Sequence, residues 1–495
     1  DVLHHQDDLL KYCVGNVVGG LSPDSKTILS ILRALDRPVS VQELAVVSDI
    51  DIDAFSEATK LLVQASLVVR SHVADDIERE RLALSSTARA FLPPAEESEL
   101  LTRTLQRERL LLEDHERDQQ KIAETGRYFD PNVVFQRTPH DGPVAHLLRK
   151  ALREAKAGDM NAADTSVARA RALDPTYFEV DRVDAFLASM RREEARATTL
   201  YRSAREYSDT DEQRYWVDYF YAAHLARTVR DITGAIDLAE QTHAYFNRYD
   251  TGLPLGNYYA WMGRFTEGYT LIESAVEQAP TVKTKRIATT ALVDCLRLWA
   301  ADELKAGSAA ASLRRALDGV ATGLKLHLAD STDEQLVHAI VRAATTALEA
   351  AGQCAPDEGT EKQLADAVQR LTEDEGLRGS AAQRSLEYQI IGLPDDLRER
   401  IAPGVASDLD RPTPKARLRG TVHNAGETYG FIAHPDFPNN VFFQAGWLTG
   451  TTRMKDLKVG TIVEFTPSKN EKGQDQALHV VAKLGLHGDG DPTRD

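Results

Sequence analysis

Apolar positions along the chain change their period from one stretch to the next. Ile28, Leu29, Ile31, Leu32 and Leu35 recur at helical spacing. Ser22 stands where an N-cap belongs and Pro23 at the first helical position. Pro38-Val39-Ser40 interrupts the pattern. Residues 41–48 then predict a second helix and 53–65 a third, with Phe55, Ala58, Leu61 and Leu62 inward. Residues 67–69 and 81–84 read as two short strands, followed by a short helix ending at Phe91-Leu92. Residues 96–126 are charged but keep Leu105, Leu110, Leu111 and Leu112, which predicts a connecting helix with a solvated face.

Three helices and a two-stranded wing predict a winged helix-turn-helix over residues 1–95, with a connecting segment over 96–142. A repeat follows. Gly158, Ala163, Ala170 and Pro175 are spaced as in a tetratricopeptide repeat: a turn glycine, two small packing residues and a closing proline. A step of 34 places Arg192, Ala197, Ala204 and Asp209, and repeats Ala151 as Ala185. Small residues belong there because paired helices approach closely. After a short insertion Ala223, Ile232, Ala235 and Ala239 renew the pattern, and Gly256, Phe265, Gly268, Ala275 and Pro280 give a fourth unit. The expectation is an α-solenoid over 143–352, its last helices more degenerate. Such solenoids bury a continuous core and offer a concave face to a partner. Aromatics gather in the second to fourth repeats; most are expected between helices, while Trp216, Tyr219, Tyr258 and Tyr259 are the candidates for a protein-partner surface.

The last period is two. Residues 420–422, 429–432, 441–444, 463–465 and 476–480 predict five short strands with Gly, Asn and Pro between them. Five strands in about this length suit a small Greek-key barrel of the OB type over 415–485. An acidic helical linker region over 353–414, with helical pieces at 361–371 and 381–391, leads into it. A His/Gly/Asp-rich tail over 486–495 is expected to be disordered. The fold class is thus mainly α with a C-terminal β-barrel.

Composition narrows the function. The chain has 495 residues and a net charge of −17, which argues against a surface that coats nucleic acid throughout. The barrel segment departs from that balance: Lys415, Arg417, Arg419, Arg453, Lys455, Lys458, Lys469, Lys472 and Lys483 outnumber its acids. Cys13, Cys295 and Cys354 are scattered, which suggests neither a disulfide framework nor a metal site and fits a reducing cytoplasm. No apolar run is long enough to span a bilayer, so no membrane contact is expected. There is no phosphate loop, no His-Glu-x-x-His and no Gly-x-Ser-x-Gly; His4-His5 and His140-Asp141 are isolated. No catalytic residue, metal ligand or cofactor is expected.

The barrel resembles a cold-shock domain. Tyr429-Gly430-Phe431-Ile432 and Val441-Phe442-Phe443-Gln444 stand where that family carries its two motifs. The resemblance implies that Tyr429, Phe431 and Phe442 stack on bases of single-stranded RNA or DNA; Gln444, where the family has a His, and Arg419, Lys455 and Lys458 of the basic segment are the further candidates for that contact. The chain departs from the family after the first strand, where His423-Asn424-Ala425 replaces Lys-Trp-Phe-Asn. It departs again at Glu427-Thr428, which replaces Lys-Gly, and at Gln444-Ala445, which replaces a His and an aromatic. Trp447 stands nearby.

Residues 1–95 resemble the winged helix that follows the nucleotide-binding core of STAND-type NTPases. The residues that carry this are Leu21-Ser22-Pro23, the run Pro38 to Leu44, Ala65 to Val68 and Thr87 to Leu92. In that family the domain clamps the ATPase, which a longer parent would carry, and oligomers would form through the missing N-terminal region. The resemblance implies a non-catalytic sensor arm in signalling or anti-phage defence, its solenoid binding a protein trigger and its barrel a nucleic acid. One rival is a transcriptional regulator whose winged helix reads DNA; Asp51, Asp53, Glu57, Lys60 and Gln64 on the third helix give it little positive charge. The other rival is a scaffold that binds protein only.

Overall fold

The computed structural model describes residues 2–73, 76–93, 99–327, 334–374, 381–403 and 418–482, apart from 427, 436, 438–439, 445–447, 449–453, 455–456 and 470–474. The expected linker at 408–415 and the tail at 486–495 lie outside the described residues. The chain divides into two compact units, residues 1–389 and 390–495.

The first unit opens with α1 (Val2–Gly19), α2 (Pro23–Leu35), β1 (Val39–Ser40), α3 (Val41–Ser48) and α4 (Ile52–Gln64), then β2 (Val68–Val73), β3 (Asp76–Leu84) and α5 (Ser86–Phe91). Local chemistry sets the helix starts. The Ser22 hydroxyl accepts from the Ser25 amide at 3.2 Å, and the Ser40 hydroxyl from the Glu43 amide at 3.1 Å. The expected pair of strands is present and gains β1, giving an antiparallel sheet ordered β1-β3-β2. Ile28, Leu32, Leu44, Phe55, Leu62 and Leu82 form the core. Leu61 is a correction: it is 42% exposed, and Thr59 is buried instead, its hydroxyl returned to the Phe55 carbonyl at 2.7 Å. The long helix α6 (Glu99–Thr125) follows.

The solenoid is built from helix pairs: α7 (Gly142–Lys156) with α8 (Met160–Leu173), α9 (Phe178–Met190) with α10 (Glu194–Glu206), α11 (Asp211–His224) with α12 (Ile232–Phe246), and α13 (Tyr249–Trp261) with α14 (Phe265–Gln278). A fifth pair, α15 (Val282–Lys305) with α16 (Ala309–His327), continues the array. One left-handed residue lies inside each pair: Gly158, Arg192, Arg230, Gly263 and Gly307, with φ between 61° and 89°. Counted from that residue, the same places hold small side chains throughout. Seven before it stand Ala151, Ala185, Ala223, Gly256 and Ala300; five after it, Ala163, Ala197, Ala235, Gly268 and Ser312. The Gly256 and Gly268 backbones touch so closely that a Cβ on Gly268 would lie 2.7 Å from the Gly256 carbonyl. The first helix of the third unit ends in a π-helical turn, Leu225–Val229. In the other units the amide after the turn residue bonds a carbonyl five residues back, as Glu193 does to Ala188 at 2.9 Å; here Asp231 reaches six back, to Leu225 at 3.0 Å. Two more helices, α17 (Glu334–Ala351) and α18 (Glu358–Glu373), extend the array past residue 352, with Leu364, Val368 and Leu371 of α18 buried.

After α19 (Ala381–Ile391) and α20 (Asp395–Ile401), the second unit forms a closed barrel of β4 (Leu418–Ala425), β5 (Tyr429–Ala433), β6 (Val441–Gln444), β7 (Ile462–Lys469) and β8 (Asp475–Ala482). The order is β4-β5-β6-β8-β7, with β7 closing on β4 and one parallel pair, β6 with β8. Alternation places Val422, Ile432, Val441, Phe443, Val463 and Phe465 in the interior. Gly430 is required by close approach: a Cβ there would sit 2.6 Å from the Phe443 ring and 2.6 Å from the Asn424 carbonyl.

Candidate functional site

The outer face of β5 and β6 gathers the three aromatics. Tyr429 and Phe431 are two apart on β5, and Phe431 pairs across to Phe442 on β6. The ring centroids lie 5.8 Å apart for Phe431 and Phe442, 6.0 Å for Tyr429 and Phe442, and 6.1 Å for Tyr429 and Phe431. Tyr429 is 53% exposed, and the two phenylalanines are half-buried against it. Exposed aromatic surface of this kind, held by a rigid sheet, is what base stacking uses.

Amide side chains border the rings. Gln444 is exposed opposite Tyr429. Asn424 pairs with Phe431, and Gln476 with Phe442, so Asn424, Phe431, Phe442 and Gln476 form one row across four strands. The sequence reading missed Asn424 and Gln476. A register shift between Val422 and Asn424 brings Asn424 onto this face, and simple alternation along β4 does not reveal it. Carboxamides can hydrogen-bond base edges.

The cations are placed differently from the rings. Arg419 lies on β4, opposite Glu464 of β7, and its Nε stands 3.4 Å from the Glu464 carboxylate. Lys458 is exposed in the turn before β7, where its amide bonds the Thr461 hydroxyl at 3.0 Å; the turn is tied to β4 by the Val422 amide on the Thr461 carbonyl at 2.9 Å. The width of β4 therefore separates it from the aromatic triad. Lys455, Trp447, Lys415, Arg417, Arg453, Lys472 and Lys483 lie outside the described residues.

The solenoid candidates need correction. Trp216 is 1% exposed, Tyr258 2% and Tyr259 8%, and Tyr219 stacks on Phe129 at 4.2 Å. Trp216, Tyr258 and Tyr259 are thus not open to a partner in this arrangement, and Tyr219 is half-buried. What covers Trp216 and Tyr219 is the chain itself. Residues 126–138, between α6 and α7, run without regular structure across the first helices of the repeats. Phe129 is 1% exposed and packs on Trp216, Tyr219 and Phe246. Phe135 packs on Phe178 and Trp216. The Tyr128 amide donates to Asp250 at 2.8 Å, and its hydroxyl to Glu212 at 3.1 Å. Burial, then the Glu212 charge, pushes that hydroxyl's pKa up, so it keeps the proton it donates. Arg182, fully buried, donates to the Val133 carbonyl at 3.1 Å while holding Glu179 at 2.7 Å; Glu179 also accepts from the Trp216 indole at 2.8 Å. The sequence signal was the aromatic-apolar run Tyr128-Phe129-Asp130-Pro131-Asn132-Val133-Val134-Phe135 directly after a charged helix. Its lack of periodicity gave it no element, and so no place.

On α4 the exposed positions include Asp53, Glu57, Lys60 and Gln64, a face with more acid than base. Among the described residues no helix is long and apolar enough to cross a membrane, and no group of three or more His, Cys, Asp and Glu is placed to hold a metal ion.

No protein-family model matches the sequence, and no curated protein matches it. Several solved structures are similar in part. PilW, a type IV pilus biogenesis factor, is 13% identical over 49% of this chain and 97% of its own, with a TM-score of 0.36. A signal-transduction ATPase with numerous domains and a tetratricopeptide-repeat sensor, from Pyrococcus horikoshii, is 12% identical over 79% of this chain and 63% of its own, at 0.37. The apo form of RapI is 10% identical over 50% of this chain and 70% of its own, at 0.37. Likenesses at this level assign no activity to the chain.

Proposed function

We propose that the chain is a non-catalytic sensor arm whose C-terminal barrel binds single-stranded nucleic acid through Tyr429, Phe431 and Phe442, and whose solenoid binds a protein trigger or partner. The observation that carries the barrel's part is the convergence of three rings within 6.1 Å on the outer face of β5 and β6, bordered by Asn424, Gln444 and Gln476. Aromatic faces take any base, so this site reads single strands with little sequence preference. In this reading residues 1–95 are a winged helix, and their resemblance to the domain beside a STAND nucleotide-binding core supports placing the chain beyond such an ATPase, in signalling or defence. The acidic outer positions of α4 weigh against the DNA-reading rival.

Fluorescence anisotropy of labelled single-stranded RNA and DNA against the whole chain, beside a Phe431→Ala, Phe442→Ala variant, tests the proposal. Each lost stack removes about 1–3 kcal/mol, so the double variant binds at least about 30-fold more weakly. Binding that ignores the variant, or no binding by the wild type, leaves the protein-only scaffold as the reading.

A further inference from the structure

We infer that residues 126–138 are a resident ligand of the solenoid, and that the groove they fill is a receptor for an extended peptide of the same pattern from a partner: two aromatic side chains six residues apart and a basic residue two further on. This deepens the reading of the solenoid as a partner-binding arm and rests on it.

Three observations carry the inference. The first is how the segment is held. Beside local turns of its own, its backbone is bonded by side chains of the repeats: the Asp250 carboxylate on the Tyr128 amide, the Arg182 guanidinium on the Val133 carbonyl, and the Tyr249 hydroxyl on the Gly126 carbonyl at 2.7 Å. The Tyr177 hydroxyl reaches the Phe135 carbonyl in the same way. Recognition of main chain by side chains is how a groove holds an extended peptide, whereas an integral strand would join a backbone ladder. The segment can therefore leave without breaking a helical hydrogen bond in any repeat.

The second observation is anchoring. Phe129 enters an aromatic pocket of Trp216, Tyr219 and Phe246, and Phe135 a neighbouring one at Phe178. Arg137 lies over the Tyr177 ring at 4.7 Å and bonds Asp174 at 3.2 Å. A buried aromatic, a half-buried one and a flanking arginine are the pattern of interface hot spots. Asp174 favours a basic residue beside the second aromatic, while Glu212 and Asp250 accept from the Tyr128 hydroxyl and amide.

The third is an imperfect fit. Arg182 is fully buried, yet its Nη1 makes no hydrogen bond. A buried donor left open costs free energy, and a partner that offers a further oxygen there holds an advantage over the resident segment.

The test uses the full chain and a labelled synthetic peptide of residues 126–138. Phe129→Ala with Phe135→Ala weakens the resident segment, so the peptide binds this variant more than about tenfold more tightly than the wild type, whose groove is rarely open. A peptide carrying the same two substitutions does not bind. Failure of the peptide to bind a variant that keeps its helical signal overturns the inference. It leaves intact a solenoid that binds protein elsewhere, which capture of a partner by that same variant would show. Native-state hydrogen exchange on the wild type decides the matter should the variant unfold. The Tyr128 and Phe129 amides exchange through a local opening, before the amides of α9 and α11; exchange of all of them together marks a fixed structural piece and refutes the proposal.

Discussion

The turns inside the repeats give opposite predictions for two glycines and two arginines. Gly158 and Gly263 stand at φ 89° and 80°; Arg192 and Arg230 fill the same place at 61° and 70°. An L-residue in this region costs about 1–2 kcal/mol. Glycine avoids that cost but loses about 0.5–1 kcal/mol more backbone entropy on folding. The difference is a net gain of about 0.5–1 kcal/mol for Arg192→Gly or Arg230→Gly, and a similar loss for Gly158→Ala or Gly263→Ala. Sterics do not confuse the comparison, because nothing lies within 4 Å of a Cβ built at either glycine. Arg192 is exposed, and Arg192→Ala removes its side chain while keeping the strained backbone, so it isolates the conformational share. Urea denaturation followed by far-UV circular dichroism measures each change, and a shift of about 2 °C in Tm should accompany 1 kcal/mol. Arg192→Gly proving destabilising while Arg192→Ala is neutral would refute the assignment of these turns as one recurring strained site.

Two other changes test the packing. Gly430→Ala in β5 drives a methyl into the Phe443 ring and the Asn424 carbonyl, and costs about 1–3 kcal/mol in the barrel's unfolding transition; an unchanged transition would mean that Phe443 does not cover Gly430. His224 is buried with Nδ1 2.8 Å from the Ser189 hydroxyl and Nε2 3.1 Å from the Thr198 hydroxyl, and burial holds its pKa below the ordinary 6.5. The folded state therefore binds this proton less readily than the unfolded chain, so the stability His224 contributes is complete above pH 6.5 and falls as the pH drops through the folded pKa. NMR titration of the ring should give a midpoint below 6.5, and a midpoint above it would contradict the burial.

What could be read from the sequence followed from periodicity. Ala163 and Ala197 mark helix crossings because only small residues fit, and the five strands of the barrel alternate cleanly enough to be counted. The fifth pair was harder to see. Gly307 follows Gly263 by 44 residues because α15 is long, so a fixed step of 34 loses Ala300 and Ser312 although both are fully buried at the expected places. Tyr128 to Phe135 carry no period, and their position is set by tertiary partners such as Asp250, more than a hundred residues away. Trp216 was identified as an aromatic of the repeats, but whether it faced solvent or an internal peptide depended on that unreadable segment. On the barrel the rings of the site were legible from spacing two, while Asn424 was hidden by the bulge beside it.

The same barrel face bears on how binding would respond to salt. Stacking is nearly salt-independent, whereas each phosphate contact on a single strand adds about 0.7 to the slope of log K against log salt. Arg419 is 70% exposed at its side chain but stands against Glu464, which is 19% exposed. Glu464→Gln removes the competing carboxylate and leaves Arg419 available to a phosphate crossing β4. The pair is long and half-exposed, and glutamine keeps the side chain's shape, so its loss costs the fold about 1 kcal/mol and the barrel persists. The variant should bind single-stranded RNA or DNA more tightly at low salt, with a slope steeper by about 0.7, and should converge on the wild type as salt rises. Arg419→Ala added to it should return the slope to the wild-type value. A slope that does not move in Glu464→Gln would place the path of the strand away from β4, along the edge of β6 and β8 where Gln444 and Gln476 lie.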